Sequence, residues 1–250
     1  MALIAYYALD EAAMDDPDVA ADSSGNGFDG VYQGPDIFGA NTPVAGHLGN
    51  GMMVSVPTTY PGADLYGHAG MLVQSVTDFS FSGAVAPYTI DFWLYLGGTD
   101  VTQRRALIGA YDPTVGPTYY PTWGFWIEGG ETVIRFFRGS FSVAPGSRDE
   151  VVTPSLTPGT WYEIRGVFDG TDLIVYVDGT VEDTTPSTGI SLSAAAGSLS
   201  VGGGVPLMQI FGASSFRYPP NESILDEVKV YDSIPATDGA TVAYYGGVAQ

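Results

Sequence analysis

The sequence has no cysteine, one lysine (Lys229) and only two histidines, His47 and His68, in 250 residues. Without thiols there are no disulfides, no cysteine-ligated zinc and no cysteine nucleophile. A chain of this length can hold its core without disulfides, so their absence leaves the compartment open. Basic residues are scarce too: 8 lysines and arginines face 28 acidic residues, a formal charge of −20. A nucleic-acid partner needs a basic footprint to displace counterions, and this chain has none to offer. An anionic membrane would repel such a surface. The acidity reads either as a device for solubility or as a capacity for cations, the first being the commoner use. No apolar run nears the ~18 residues that a membrane-spanning helix requires. The opening stretch, Met1 to Leu9, lacks a basic start and is cut short by Asp10 and Glu11, so it does not read as a signal peptide.

What is present is turn chemistry between short apolar runs. Apolar residues make up 45% of the chain, which excludes disorder, and 34 glycines and 17 prolines punctuate it. The period-two alternation is clearest from Tyr88 to Leu96. Tyr88, Ile90, Phe92 and Leu94 share one face; Thr89, Asp91, Trp93 and Tyr95 share the other. Further strands are expected at Leu3–Leu9, Phe28–Gln33, Met52–Val56, Arg105–Ala110, Trp123–Ile127, Thr132–Phe137, Trp161–Phe168, Leu173–Val177, Leu199–Val201 and Ile224–Tyr231. Asp169-Gly170 and Asp178-Gly179 bracket one of them, as in a meander. Residues 34–51, 57–70 and 111–122 read as loops, and 237–245 as a short helix capped by Thr237. The pattern predicts one all-β domain over residues 1–250, a two-sheet antiparallel sandwich or jelly roll with little helix.

Catalytic patterns are sparse. Glu128 and Glu131 flank a Gly-Gly turn, and Glu163 has no acidic partner two residues away. Asp226 and Glu227 are neighbours, which on a regular strand sends them to opposite faces. No carboxylate pair of the glycosidase kind is visible. The histidines fall in loops, without the spacing of a triad or a zinc site. Gly202 to Gly204 precede no helix and do not read as a phosphate loop. Asn221-Glu-Ser223 fits a glycosylation acceptor, taken as chance without a signal peptide. Aromatic residues offer another chemistry, because ring faces stack on the apolar faces of sugars. The candidates are Trp93, Tyr95, Trp123 and Trp126; Trp161 and Phe92 are assigned to the core. Trp123 and Trp126 differ by three, so a regular strand would part them.

Four stretches in order then carry a resemblance. They are Leu3–Asp10 running on to Asp22-Ser-Ser-Gly-Asn-Gly-Phe-Asp-Gly30, Tyr88–Trp93, Trp161–Gly179, and Ile224–Tyr231. Together they resemble the laminin-G-like domains of the concanavalin-A-like lectin and glucanase superfamily. The resemblance implies a jelly roll of two curved antiparallel sheets. It also implies a structural calcium ion where the first loop meets the last strand, with Asp22, Asn26 and Asp226 at the matching positions. That fold hosts lectins, adhesion modules, glycosidases and virion proteins, so it does not fix a function.

The expectation is therefore a non-catalytic binding or surface-structural module, extracellular or on a virion, that meets carbohydrate or a protein surface. The alternative is a virion structural protein, a phage capsid decoration or tail-fibre component with capsid or tail partners; the chain starts at Met1 with neither leader nor cysteine. A glycan hydrolase ranks below both.

Overall fold

The structure, a computed structural model, describes residues 2–14, 18–33, 41–54, 70–76, 79, 81, 86–97, 104–112, 120–127, 131–139, 148–187, 197–201, 216–217 and 223–235. Among them the strands run β1 (Leu3–Tyr7), β2 (Val19–Ala20), β3 (Gly30–Gln33), β4 (Asn41–Ala45), β5 (Asn50–Val54), β6 (Gly70–Val76), β7 (Tyr88–Tyr95), β8 (Arg104–Asp112) and β9 (Tyr120–Ile127). They continue as β10 (Ile134–Gly139), β11 (Arg148–Val152), β12 (Trp161–Phe168), β13 (Asp172–Val177), β14 (Thr180–Pro186), β15 (Gly197–Val201), β16 (Phe216–Arg217) and β17 (Ile224–Tyr231). No described helix is long and apolar enough to cross a membrane.

The strands form a two-sheet jelly-roll sandwich. The first sheet runs β14-β13-β12-β7-β17-β5-β4, with β1 also on β17. The second runs β11-β10-β9-β8-β15-β6-β3-β2, with β16 added in parallel to β8. Every other described pairing is antiparallel.

The core follows from the alternation. Tyr88, Ile90, Phe92 and Leu94 are fully buried and face the second sheet. Phe92 meets Phe125 edge-on at 5.0 Å, and Phe125 stacks on Phe136 at 4.5 Å. Each such buried ring contributes roughly 2–3 kcal/mol by leaving water. Between β13 and β14 the Asp178-Gly179 turn has φ of 50° and 76°. Two successive positive φ values make the type I′ geometry, which Gly adopts without strain. At one edge the sheets are tied together, because the Val152 amide donates to Asp183 at 3.0 Å.

The segment expected to be a loop, 34–51, contains β4 and part of β5. Pro43 lies in β4, the edge strand of its sheet, where a residue without an amide proton is tolerated. β6 and β11 were not read as strands either; their pairing with β3, β15 and β10 decides their state. The expected helix at 237–245 and nearly all of the 57–70 loop lie outside the described residues.

Candidate binding face

The outer face of the first sheet is built around a change of partner along β17. Ile224 and Leu225 pair with Met53 and Met52 of β5, whereas Val228 to Tyr231 pair with β1. Between the two partners, at Asp226 and Glu227, the register against β7 slips by one residue. Asp226 lies opposite Trp93 and Lys229 opposite Asp91, so three steps on β17 match two on β7. Glu227 is the extra residue, at φ 55°. A bulge of this kind re-aims a side chain. Here it turns the Glu227 carboxylate onto the outer face, where Tyr6 Oη (2.8 Å) and Lys229 Nζ (2.9 Å) donate to it. The expectation that Asp226 and Glu227 part to opposite faces is thereby corrected, since the bulge breaks the alternation on which it rested.

The β4–β5 hairpin fills the seam. The amides of His47 and Leu48 donate to Asp226 Oδ2 at 2.7 and 3.0 Å. Gly46 makes this approach feasible, because a Cβ there would meet Asp226 Oδ2 at 2.6 Å. The clasp lays the His47 ring on Trp93, with centroids 3.4 Å apart and planes 7° from parallel. Trp161 stands beside them, 5.8 Å from His47 at 66° and 5.6 Å from Tyr95 at 58°. All four rings are half-exposed.

Charges are buried next to these rings. Arg165 donates to Asp91 (2.9 Å) and Glu163 (3.0 Å), and all three are almost wholly covered. Burial, with Asp91 nearby, pushes the Glu163 carboxyl up to about 7. Burial also pushes Asp226 up to about 7; the Leu48 and His47 amides oppose the shift and Glu227 adds to it. Asp226 Oδ1 and His47 Nδ1 are buried without a hydrogen-bond partner. One such orphan costs about 1–3 kcal/mol, and two sit at this seam. Burial favours the neutral ring and holds His47 below its ordinary range, against the pull of Glu227, which favours the charged one.

The sequence-predicted residues divide between regions. Trp93 and Tyr95 belong to this face. Trp123 is fully buried between the sheets and donates from Nε1 to Phe79 O at 2.9 Å. Trp126 is 1% exposed and lies on the outer side of the other sheet, under Arg135 and Arg148, whose guanidinium carbons are 5.8 and 5.5 Å from its ring. Neither Trp123 nor Trp126 presents a ring face to solvent. Trp161, assigned from sequence to the core, is instead half-exposed on the outer face, because it shares the parity of Glu163 and Arg165 rather than that of Ile164. His47 had no local pattern to mark it; only the pairing of distant strands sets it on Trp93.

Of the three calcium candidates, two share a loop. Asp22 accepts from Tyr6 N (3.0 Å), Ser24 N (2.9 Å), Ser24 Oγ (2.8 Å) and Phe28 N (3.0 Å). Asn26 turns its Nδ2 to the carbonyls of Leu3 (2.8 Å) and Ile4 (2.9 Å) and lines an open groove of about 420 Å³ with Phe28 and Asp232. Asp226 belongs to the seam, with β1 between it and Asp22. Calcium takes about 6–8 oxygens with lone pairs free, whereas Asp22 gives its oxygens to protein donors. The three do not fit a single calcium ion as they stand. Among the described residues no three His, Asp or Glu side chains stand together as a metal site.

A two-sheet antiparallel sandwich of this kind is the architecture of lectin-like jelly rolls. The chain belongs to the concanavalin A-like lectin/glucanases superfamily, whose laminin-G family model matches residues 71–237. No curated protein matches the chain by sequence. Solved structures similar to it include domain 4 of an extracellular arabinanase from Geobacillus stearothermophilus in complex with arabinotriose (16% identity, TM-score 0.60, 98% of each chain). The binding domain of botulinum neurotoxin serotype G is similar at 10% identity and TM-score 0.62, over 98% of this chain and 50% of that one. A Trypanosoma rangeli sialidase in complex with sialic acid is similar at 15% identity and TM-score 0.63, over 98% of this chain and 33% of that one. The chain thus spans about a third of the sialidase and half of the toxin domain. At these identities the likeness is one of fold.

Proposed function

We propose that the chain is a non-catalytic, extracellular binding module that recognises carbohydrate through the ring cluster on the outer face of its first sheet. The observation that carries this reading is the grouping of His47, Trp93, Tyr95 and Trp161, all half-exposed, over a rigid layer of buried ion pairs. Aromatic rings held on strands give a sugar flat apolar surfaces at little entropic loss. The arabinanase domain, a sandwich of the same extent solved with arabinotriose, supports the sugar reading and the extracellular setting.

The arrangement speaks against hydrolysis at this face. Glu163 and Asp226 both have raised carboxyls, yet both lie opposite Trp93, on the strands either side of it. The Trp93–His47 stack stands between them, where a scissile bond would have to lie. Screening the purified chain on a glycan array, followed by calorimetry of the hits, tests the proposal. Binding should fall at least about tenfold, or 1.4 kcal/mol, in Trp161→Ala and Tyr95→Ala. Hits that bind both variants unchanged would place recognition elsewhere.

A further inference from the structure

The next inference rests on the carbohydrate reading and names the sugar class. We propose that the outer face takes a linear, uncharged oligosaccharide laid across the strands from Trp161 to Met53, with Ile224 and Met53 forming a second apolar subsite beyond the rings.

The line follows from register. Trp161 lies opposite Tyr95, Tyr95 opposite Ile224, and Ile224 opposite Met53. The strands β12, β7, β17 and β5 therefore give one residue each to a row across the sheet. Leu94, Leu225 and Met52, their neighbours along the chain, are buried in the core, so alternation turns the row outward. All four side chains are half-exposed. Neighbouring strands lie about 4.8 Å apart, so the row runs about 14 Å, the reach of about three linked sugar rings. The absence of a side chain at Gly51 makes room in the second subsite. A Cβ there would meet Ile224 Cγ2 at 2.8 Å, so Ile224 rests against bare β5 backbone beside Met53. The His47 ring, stacked on Trp93 in the adjoining row, bounds the line on one side.

Charge decides the class. None of the four residues is ionisable at neutral pH. The charged side chains of the same face, Asp91, Glu163, Arg165, Asp226, Glu227 and Lys229, are each at most 9% exposed. Arg165 is committed to Asp91 and Glu163, and Lys229 to Glu227. A ligand on the row meets rings and aliphatic carbon, and a charged sugar would lose hydration there without gaining a counter-ion. An anionic sugar meets the chain's formal charge of −20 as well. Sugar rings with apolar faces suit the row. The Tyr95 hydroxyl and the Trp161 indole N–H make no hydrogen bond to another described residue, which leaves both for ligand hydroxyls.

The test is calorimetry of the full chain with cello-, xylo- and manno-oligosaccharides of one to five units, and with trimers of galacturonate and glucosamine as charged probes. In at least one neutral series the affinity should rise about tenfold or more from one unit to three and change less than about twofold from three to five. Raising salt to about 0.3 M should leave it unchanged. Both charged trimers should bind at least about tenfold weaker than the best neutral one. Ile224→Ala and Met53→Ala should each weaken the trimer about threefold or more and leave the monomer unchanged, which also shows that the fold is intact; Trp161→Ala should weaken every length. Affinity that is independent of length overturns the inference and leaves the carbohydrate reading standing. Tightest binding of a charged trimer overturns it, as does a trimer that ignores both Ile224→Ala and Met53→Ala. Silence toward every probe overturns the inference; silence across the glycan array as well removes the reading beneath it.

Discussion

Asp22 and Asp226 each hold a loop against a neighbouring strand, under opposite conditions. Asp22 is partly buried, which raises its carboxyl, but the Ser24 hydroxyl and the amides of Tyr6, Phe28 and Ser24 outweigh burial and keep it below its usual range. Asp226 is wholly buried with two loop amides on one oxygen and nothing on the other, so burial wins and the carboxyl rises to about 7. The tryptophans repeat the contrast. Trp123 has its ring in the core and its Nε1 on Phe79 O, whereas Trp161 keeps part of its ring in water. The Asp22 carboxylate and the Trp123 indole have their polar atoms satisfied and serve the fold. The outer face of the first sheet keeps an unpartnered carboxyl oxygen on Asp226 and ring surface in contact with water.

The largest test separates the two tryptophans. Trp123→Ala removes a fully buried ring and should destabilise the chain by about 3–5 kcal/mol in urea unfolding. Trp161→Ala should cost less than about 1.5 kcal/mol and act on binding instead. Equal losses of stability would break the comparison. Next comes Asp22→Ala, which strands three amides and a hydroxyl and should lower stability by about 3 kcal/mol. A loss under 1 kcal/mol would mean that water replaces the carboxylate at no cost.

The two carboxyl environments also predict opposite pH responses. Glu163 has a folded pKa raised above its unfolded value, so the folded chain holds that proton more tightly. Its contribution to stability is greatest below about pH 4.5 and is lost as pH rises toward and through about 7. The loss from Glu163 should be on the order of 1–2 kcal/mol, and Glu163→Gln should leave only the part that Asp226, also raised to about 7, contributes over the same range. Asp22 has a lowered pKa. Its contribution is complete above its unfolded pKa and disappears as pH falls through the folded one, at the acid end of the range. A melting temperature that follows the same course from pH 5 to 8 in the natural sequence and in Glu163→Gln would remove Glu163 from the contrast.

Much of the fold was legible because it is written in local chemistry. The alternation from Tyr88 to Tyr95 sorted one strand's faces correctly, and Asp178-Gly179 announced its turn. The seam was illegible for the same reason. Asp226, Glu227 and His47 come together only because β17 changes partner from β5 to β1 at a bulge, and no residue in Ile224–Tyr231 marks that slip. Pro43 concealed β4, since a strand carrying it is acceptable only at an edge, and edges are decided by the whole sheet. Trp161, assigned to the core, stands on the outer face because it shares the parity of Glu163 and Arg165.

The smallest expected effect is the most pointed. Asp226→Asn keeps the oxygen that accepts from the His47 and Leu48 amides and replaces the unpartnered oxygen with an amide group of equal size. If the buried charge is what strains this position, removing it should raise stability by about 0.5–1 kcal/mol at pH 8, where Asp226 is mostly ionised. At pH 5 Asp226 is already protonated, so the same substitution should change almost nothing. Asp22→Asn, made as the control, should destabilise at pH 8, because there the charge is matched by four donors. A stabilising change at one aspartate and a destabilising one at the other would separate a buried charge left partly unmatched from one matched by its donors. Loss of stability in both at pH 8 would mean that Asp226 is as well matched as Asp22.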